Sequence, residues 1–96
     1  MRESANKGVL VASELREYRL NGAELDYLTE LAKTDEVVAN VLKMAEGRSL
    51  RMDRATSEKL RVRLNDRLVR FGFEADYSLT EEGRRIEDLI DKFFFP

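Results

Sequence analysis

Five basic side chains fall close together: Lys59, Arg61, Arg63, Arg67 and Arg70. On a helix, at about 100° per residue, Lys59, Arg63, Arg67 and Arg70 share a stripe roughly 80° wide. Guanidinium groups so spaced can hold phosphates, read guanine edges or pair with the carboxylates of a protein partner. A second stripe of similar width, Leu60, Leu64, Leu68 and Phe71, lies beside the first. The basic heads then have a structural alternative. Their stems can cover the leucine seam while the charges pair with Glu74, Asp76, Glu87 or Asp91 of the same chain. Val62 and Val69 point away from the leucines, so this helix is either sandwiched or offers the valines to a partner.

Little else has the makings of chemistry. Glu87, Asp88 and Asp91 gather carboxylate oxygens of the kind that hold Mg²⁺ or Ca²⁺. One helix face offers only a shallow cluster, however, and a solvated acidic face is the expectation. The chain has no histidine and no cysteine, which removes imidazole bases, thiolate nucleophiles and disulfides. No base stands ready to activate a serine, and there is no phosphate-cradling glycine loop. The expected protein has no catalytic residue, no metal and no cofactor.

Ninety-six residues with 38% charged side chains and a net charge of −2 describe one modest soluble domain. The charge is uneven. Residues 48–70 carry eight Lys/Arg against three Asp/Glu, whereas 71–96 carry three against seven. No apolar run is long enough to cross a bilayer and no signal-peptide pattern opens the chain, so a cytoplasmic protein is expected. Residues 1–8 read as a flexible tail and 9–96 as a single helical domain.

The elements that must position these groups follow from caps and periodicity. Residues 8–12 are a short apolar run and 13–20 fit neither period, which predicts an extended lead-in and then irregular structure. Asn21 with Glu24 forms a capping box for a helix over 22–33, with Leu25, Leu28 and Ala32 inward and Leu31 flanking. Thr34 is the expected cap of a second helix that buries Val37, Val41, Met44 and Ala45 and stops at Gly47. Residues 49–52 alternate as a brief strand. Asp53 or Thr56 starts a third helix running to about Arg70. Gly72 stands where a left-handed residue ends a helix, and residues 77–79 alternate as a short strand. Thr80 caps a last helix whose inward face is Ile86, Leu89, Ile90, Phe93 and Phe94. Within that face Gly83 allows a neighbour to approach, and the Tyr77 ring is expected to pack on this helix. Phe95 lies at its edge, and left exposed it would add to a homodimer or partner surface. The predicted class is mainly α: four helices with a minimal β-ribbon.

This order, with residues 68–73 (LVRFGF) and 77–85 (YSLTEEGRR), resembles a winged-helix domain over roughly residues 22–90. The resemblance implies that helix 55–70 is the recognition helix and that Arg61, Arg63, Arg67 and Arg70 contact phosphates or guanines. The wing would be Glu74-Ala75-Asp76, acidic where that family places Arg or Lys, so the fold can persist with DNA binding lost. Gly72-Phe73, Tyr77, Leu79-Thr80, Glu82-Gly83 and residues 86–91 also resemble the ending of small uncharacterised bacterial proteins. That second likeness implies a fold and no activity.

The expected function is a non-enzymatic protein-interaction module: a small regulator, an inhibitor or a toxin-neutralising partner. Its partner is another protein or a second copy of itself, bound through Lys59, Arg61, Arg63, Arg67, Arg70, Val62 and Val69. The alternative is a winged-helix DNA-binding regulator. Neither a membrane nor a small-molecule cofactor is expected.

Overall fold

A computed structural model describes residues 14–95; the apolar run 8–12 and the tail 1–8 lie outside them. The order is β1 (Arg16–Arg19), α1 (Gly22–Ala32), α2 (Glu36–Leu42), β2 (Ser49–Met52), α3 (Arg54–Phe71) and α4 (Glu81–Lys92). The chain is mainly helical, and four helices with a two-stranded sheet are compatible with a small winged-helix-like arrangement.

The lead-in to α1 corrects the sequence reading. Residues 16–19 are not irregular: they pair antiparallel with β2, Tyr18 opposite Leu50 and Glu17 opposite Arg51. Tyr18, Leu20, Leu50 and Met52 are buried while their neighbours face outward, the two-residue period of a strand with one wet face. A single four-residue strand carries too little periodicity to be seen without its partner. Gly47 does not end α2 but opens the tight turn before β2. Its φ of 62° and the paired bonds between Glu46 and Ser49 make a two-residue hairpin loop, where glycine is favoured first.

The capping box is present: Glu24 N–H donates to Asn21 Oδ1 at 2.7 Å, and Asn21 N–H donates to Glu24 Oε1 at 2.9 Å. α2 is capped by Asp35 rather than Thr34, because its carboxylate accepts from both Val37 and Val38 N–H. Val38 and Val41 turn inward, Val37 is half-buried, and Met44, beyond the end of α2 at Leu42, is exposed. Asp53 caps α3, and Thr80 caps α4 by accepting from Gly83 N–H at 2.8 Å.

α3 and α4 make the largest helix–helix contact, an antiparallel pair closing on Leu60, Leu64, Leu68, Ile86, Leu89 and Phe93. Gly83 works as expected: a Cβ there would overlap the Gly72 carbonyl, which accepts from Thr80 N–H at 2.8 Å. Gly72 is not left-handed. It is the α-helical C-cap at φ −88°, and a Cβ there would stand 2.6 Å from the Leu68 carbonyl oxygen. Phe71 and Phe94, expected in the core, are both about half exposed. The Phe71 ring lies under the Arg67 guanidinium rather than in the seam with α4, and Phe94 lies beyond the α4 C-cap at Phe93.

Candidate interaction surface on the third helix

α3 presents two faces around its leucine seam, and they are built differently. On the flank facing α1, α2 and α4, the arginines meet carboxylates. Arg67 Nε donates to Glu82 Oε2 at 2.7 Å, and the Tyr27 hydroxyl donates to the same oxygen at 2.7 Å. Three helices are thus joined at one carboxylate oxygen. Desolvation and the hydrogen bond to Glu82 push the Tyr27 phenol up to about 12. At Glu82, burial by itself would raise the carboxyl, but the bonds from Tyr27 and Arg67 outweigh it and hold the group below its ordinary value. The bond to Glu82 correspondingly raises Arg67. The Arg67 guanidinium also lies over the Phe71 ring, 4.6 Å from its centre. Arg63 pairs more loosely with Asp35 at 3.6 Å.

The carboxylates expected to meet the arginine stripe were Glu74, Asp76, Glu87 and Asp91. The ones that do are Asp35 and Glu82, which come from other elements. Arg61, which the helical period already sets apart from the stripe, points to α4. Its Nε donates to the Ile90 carbonyl at 3.1 Å, it pairs with Glu58 at 3.4 Å, and it lies over Phe94. A cleft of about 250 Å³ remains between the α1–α2 turn and α3, lined by Thr34, Asp35, Arg63, Asp66, Arg67 and Arg70. Two aspartates among three arginines leave it nearly balanced in charge. Among the described residues Lys59 and Arg70 form no salt bridge, although the Lys59 charge helps to hold the Asp53 carboxyl below its ordinary value.

The opposite face carries apolar groups in the open. Val62 is 51% and Val69 69% exposed. Between α2 and α3, Val37, Ala55 and Val62 floor an open groove of about 500 Å³, rimmed by Glu58, Lys59 and Arg63. The sequence reading placed Val62 and Val69 outward but missed Val37 and Ala55. Ala55 was legible as a third member of a seven-residue spacing with Val62 and Val69; Val37 was read as core because it shares a helical stripe with Val41, whereas α2 turns Val38 inward.

The hairpin between α3 and α4 adds a second exposed cluster. The stretch 77–79 is not a strand; Phe73 and Leu79 form one isolated antiparallel bridge. Tyr77 N–H donates to the Glu74 carbonyl at 2.9 Å, and Glu74 N–H donates to the Ser78 carbonyl at 2.8 Å. Tyr77 itself has φ 69°. This is a turn closed by a left-handed bulge residue, where glycine is the usual occupant. Asp76 accepts from the Ser78 backbone at 3.1 Å and hydroxyl at 2.6 Å, and those bonds hold its carboxyl below the ordinary value. The Tyr77 ring does not pack on α4: it is 86% exposed.

Phe95 is partly covered, with the guanidiniums of Arg16 and Arg54 at 4.9 and 4.8 Å from its ring centre. It is therefore tied to its own chain. No cluster of three or more His, Cys, Asp or Glu side chains is gathered for a metal among the described residues, Glu87, Asp88 and Asp91 included. No helix among them is long and apolar enough to cross a membrane. The chain matches no protein-family model, no curated protein and no solved structure.

Proposed function

We propose that the chain is a protein-interaction module that takes an apolar segment with acidic flanks in the α2–α3 groove. The observation that carries this reading is the groove itself: Ala55 and Val62 exposed and Val37 half-buried beside Lys59, a cation in no salt bridge among the described residues whose charge acts on the Asp53 cap. Apolar side chains of a partner would be desolvated on the valines, while the rim cations select acidic neighbours and steer the encounter. Such a module suits a small regulator, an inhibitor or a toxin-neutralising partner, and it needs no catalytic group. The test is quantitative capture from native lysate on immobilised wild type, Val62→Asp and Lys59→Glu in parallel. A partner retained by the wild type and lost by both variants is the expected result. Equal recovery on all three would remove the groove from the function.

A winged-helix-like regulator of duplex DNA is the second reading, favoured by Lys59 and Arg70, which share one side of α3 and form no salt bridge among the described residues. Arg63 and Arg67 support it less, since each already has a carboxylate within its own chain. Fluorescence anisotropy across a salt series decides it. DNA binding through this face must weaken steeply with salt and disappear in Lys59→Glu with Arg70→Glu.

A further inference from the structure

Resting on the groove as the interaction site, we infer that one occupant is a second copy of this chain. Two α3 helices pack antiparallel by their outer faces, and each copy's acidic hairpin sits at the groove of the other. Ala55, Val62 and Val69 are spaced by seven, so they return to nearly the same angle on α3 and form a seam. A twofold axis crossing α3 between Asn65 and Asp66 sets Val62 of one copy against Val69 of the other. The same operation carries Lys59 to the level of Gly72, where α3 ends and the hairpin begins. At about 1.5 Å per residue, α3 is thus the right length to bring the start of the partner's hairpin level with the cationic rim of the groove.

Charge selects this orientation. The hairpin carries Glu74 and Asp76, and the groove rim carries Lys59 and Arg63; Glu58, the rim's one carboxylate, is occupied by Arg61. Across the axis Asn65 meets Asp66, an amide donor against a carboxylate. A parallel pairing would instead stack Asp66 on Asp66 and hairpin on hairpin, acid against acid. Tyr77 and Phe73 supply the apolar contact, 86% and 45% exposed in the single chain. Because the tyrosine occupies a left-handed bulge position that glycine fills with less strain, the turn holds an aromatic ring outward at a conformational cost. Each patch meets its complement twice, so the contact closes as a dimer and does not propagate.

The test is sedimentation equilibrium of the full chain up to about 0.5 mM. Dimers are expected, weakened at least ~10-fold by Val62→Asp with Val69→Asp or by Lys59→Glu. In Lys59→Glu, the added change Glu74→Lys restores association. The chain lacks cysteine, so cross-links report register cleanly. A mixture of Val62→Cys and Val69→Cys proteins should form the mixed disulfide in preference to either self-linked product. All these positions are exposed, and circular dichroism verifies that each variant is folded. A monomer throughout the range, a dimer indifferent to the valine changes, or preferential Val62–Val62 linkage would each overturn the inference. A monomer that still captures a partner in a Val62-dependent way would leave the groove's wider role standing. Self-association with no foreign partner captured would count against that wider role alone.

Discussion

The two flanks of α3 use the same residue types to opposite ends. Toward α1, α2 and α4, arginine heads are fixed: Arg67 shares one Glu82 oxygen with Tyr27, and Arg63 reaches Asp35. On the outer side, Lys59 stands beside exposed valines, and no described residue covers the seam Ala55, Val62, Val69. The inner flank repeats at three and four residues and the outer seam at seven; what differs further is whether a carboxylate from another element reaches the cations. A carboxylate from another element converts a basic stripe into a structural tie, whereas the side without one keeps its capacity to bind.

The contrast is broken most forcefully at the seam between the flanks. Leu64→Ala should cost about 2–5 kcal/mol in urea unfolding, because Leu64 is wholly buried between α3 and α4. The matching cut on the outer face, Val69→Ala, should stay within about 0.5 kcal/mol when unfolding is followed under monomeric conditions. Equal losses would mean that the outer valines are also core.

Gly83→Ala should come next, lowering stability by roughly 1–3 kcal/mol, since the new methyl collides with the Gly72 carbonyl and parts α4 from the end of α3. A variant with an unchanged melting temperature would show that this junction is slack.

The Tyr27–Glu82–Arg67 tie makes the inner flank sensitive to pH at both ends. Glu82 titrates below its ordinary value when folded, so its contribution is present above the unfolded carboxylate's value and is lost as the pH falls through the folded one. Tyr27 has the opposite sign. The unfolded phenol ionises near 10.0 and the folded one near 12, so stability declines as the pH rises through that window. In Tyr27→Phe the decline between those limits should be shallower than in the wild type; parallel curves would mean that the phenol ionises freely.

The smallest effects belong to the exposed sites. Lys59→Glu and Arg70→Glu should each change monomer stability by no more than about 0.5 kcal/mol. Tyr77→Gly should leave it unchanged or raise it by up to ~1 kcal/mol, as the left-handed strain is released. A clear loss there would assign the ring a structural contact.

Most of the helical frame was written locally. Asn21 with Glu24, Asp53, and Thr80 with Gly83 are caps whose partners stand two or three residues away. The leucine seam of α3 and the inward face of α4 repeat at the helical period, so Leu60, Leu64, Leu68, Ile86, Leu89 and Phe93 could be placed from spacing alone. Val62 and Val69 were legible as outward for the same reason. Misreadings cluster where a distant element or a turn decides. β1 needed β2, thirty residues on, to become a strand. Tyr77 read as packed because the alternation of 77–79 did not reveal the bulge that turns it outward. Phe71 fitted the leucine stripe in angle, but its ring meets the Arg67 guanidinium and stays half exposed.

By itself, then, the amino-acid order determined the helices, their caps, the buried stripe of α3 and the absence of histidine and cysteine chemistry. Each of these depends on neighbours within about one or two helical turns, and such interactions survive in any tertiary setting. Only the tertiary structure decided which arginines are paired with carboxylates and which cations are left without a salt bridge among the described residues. Pairing over 15 and 55 residues of chain, as Glu82 does with Arg67 and Tyr27, depends on how helices cross, and no local period encodes that.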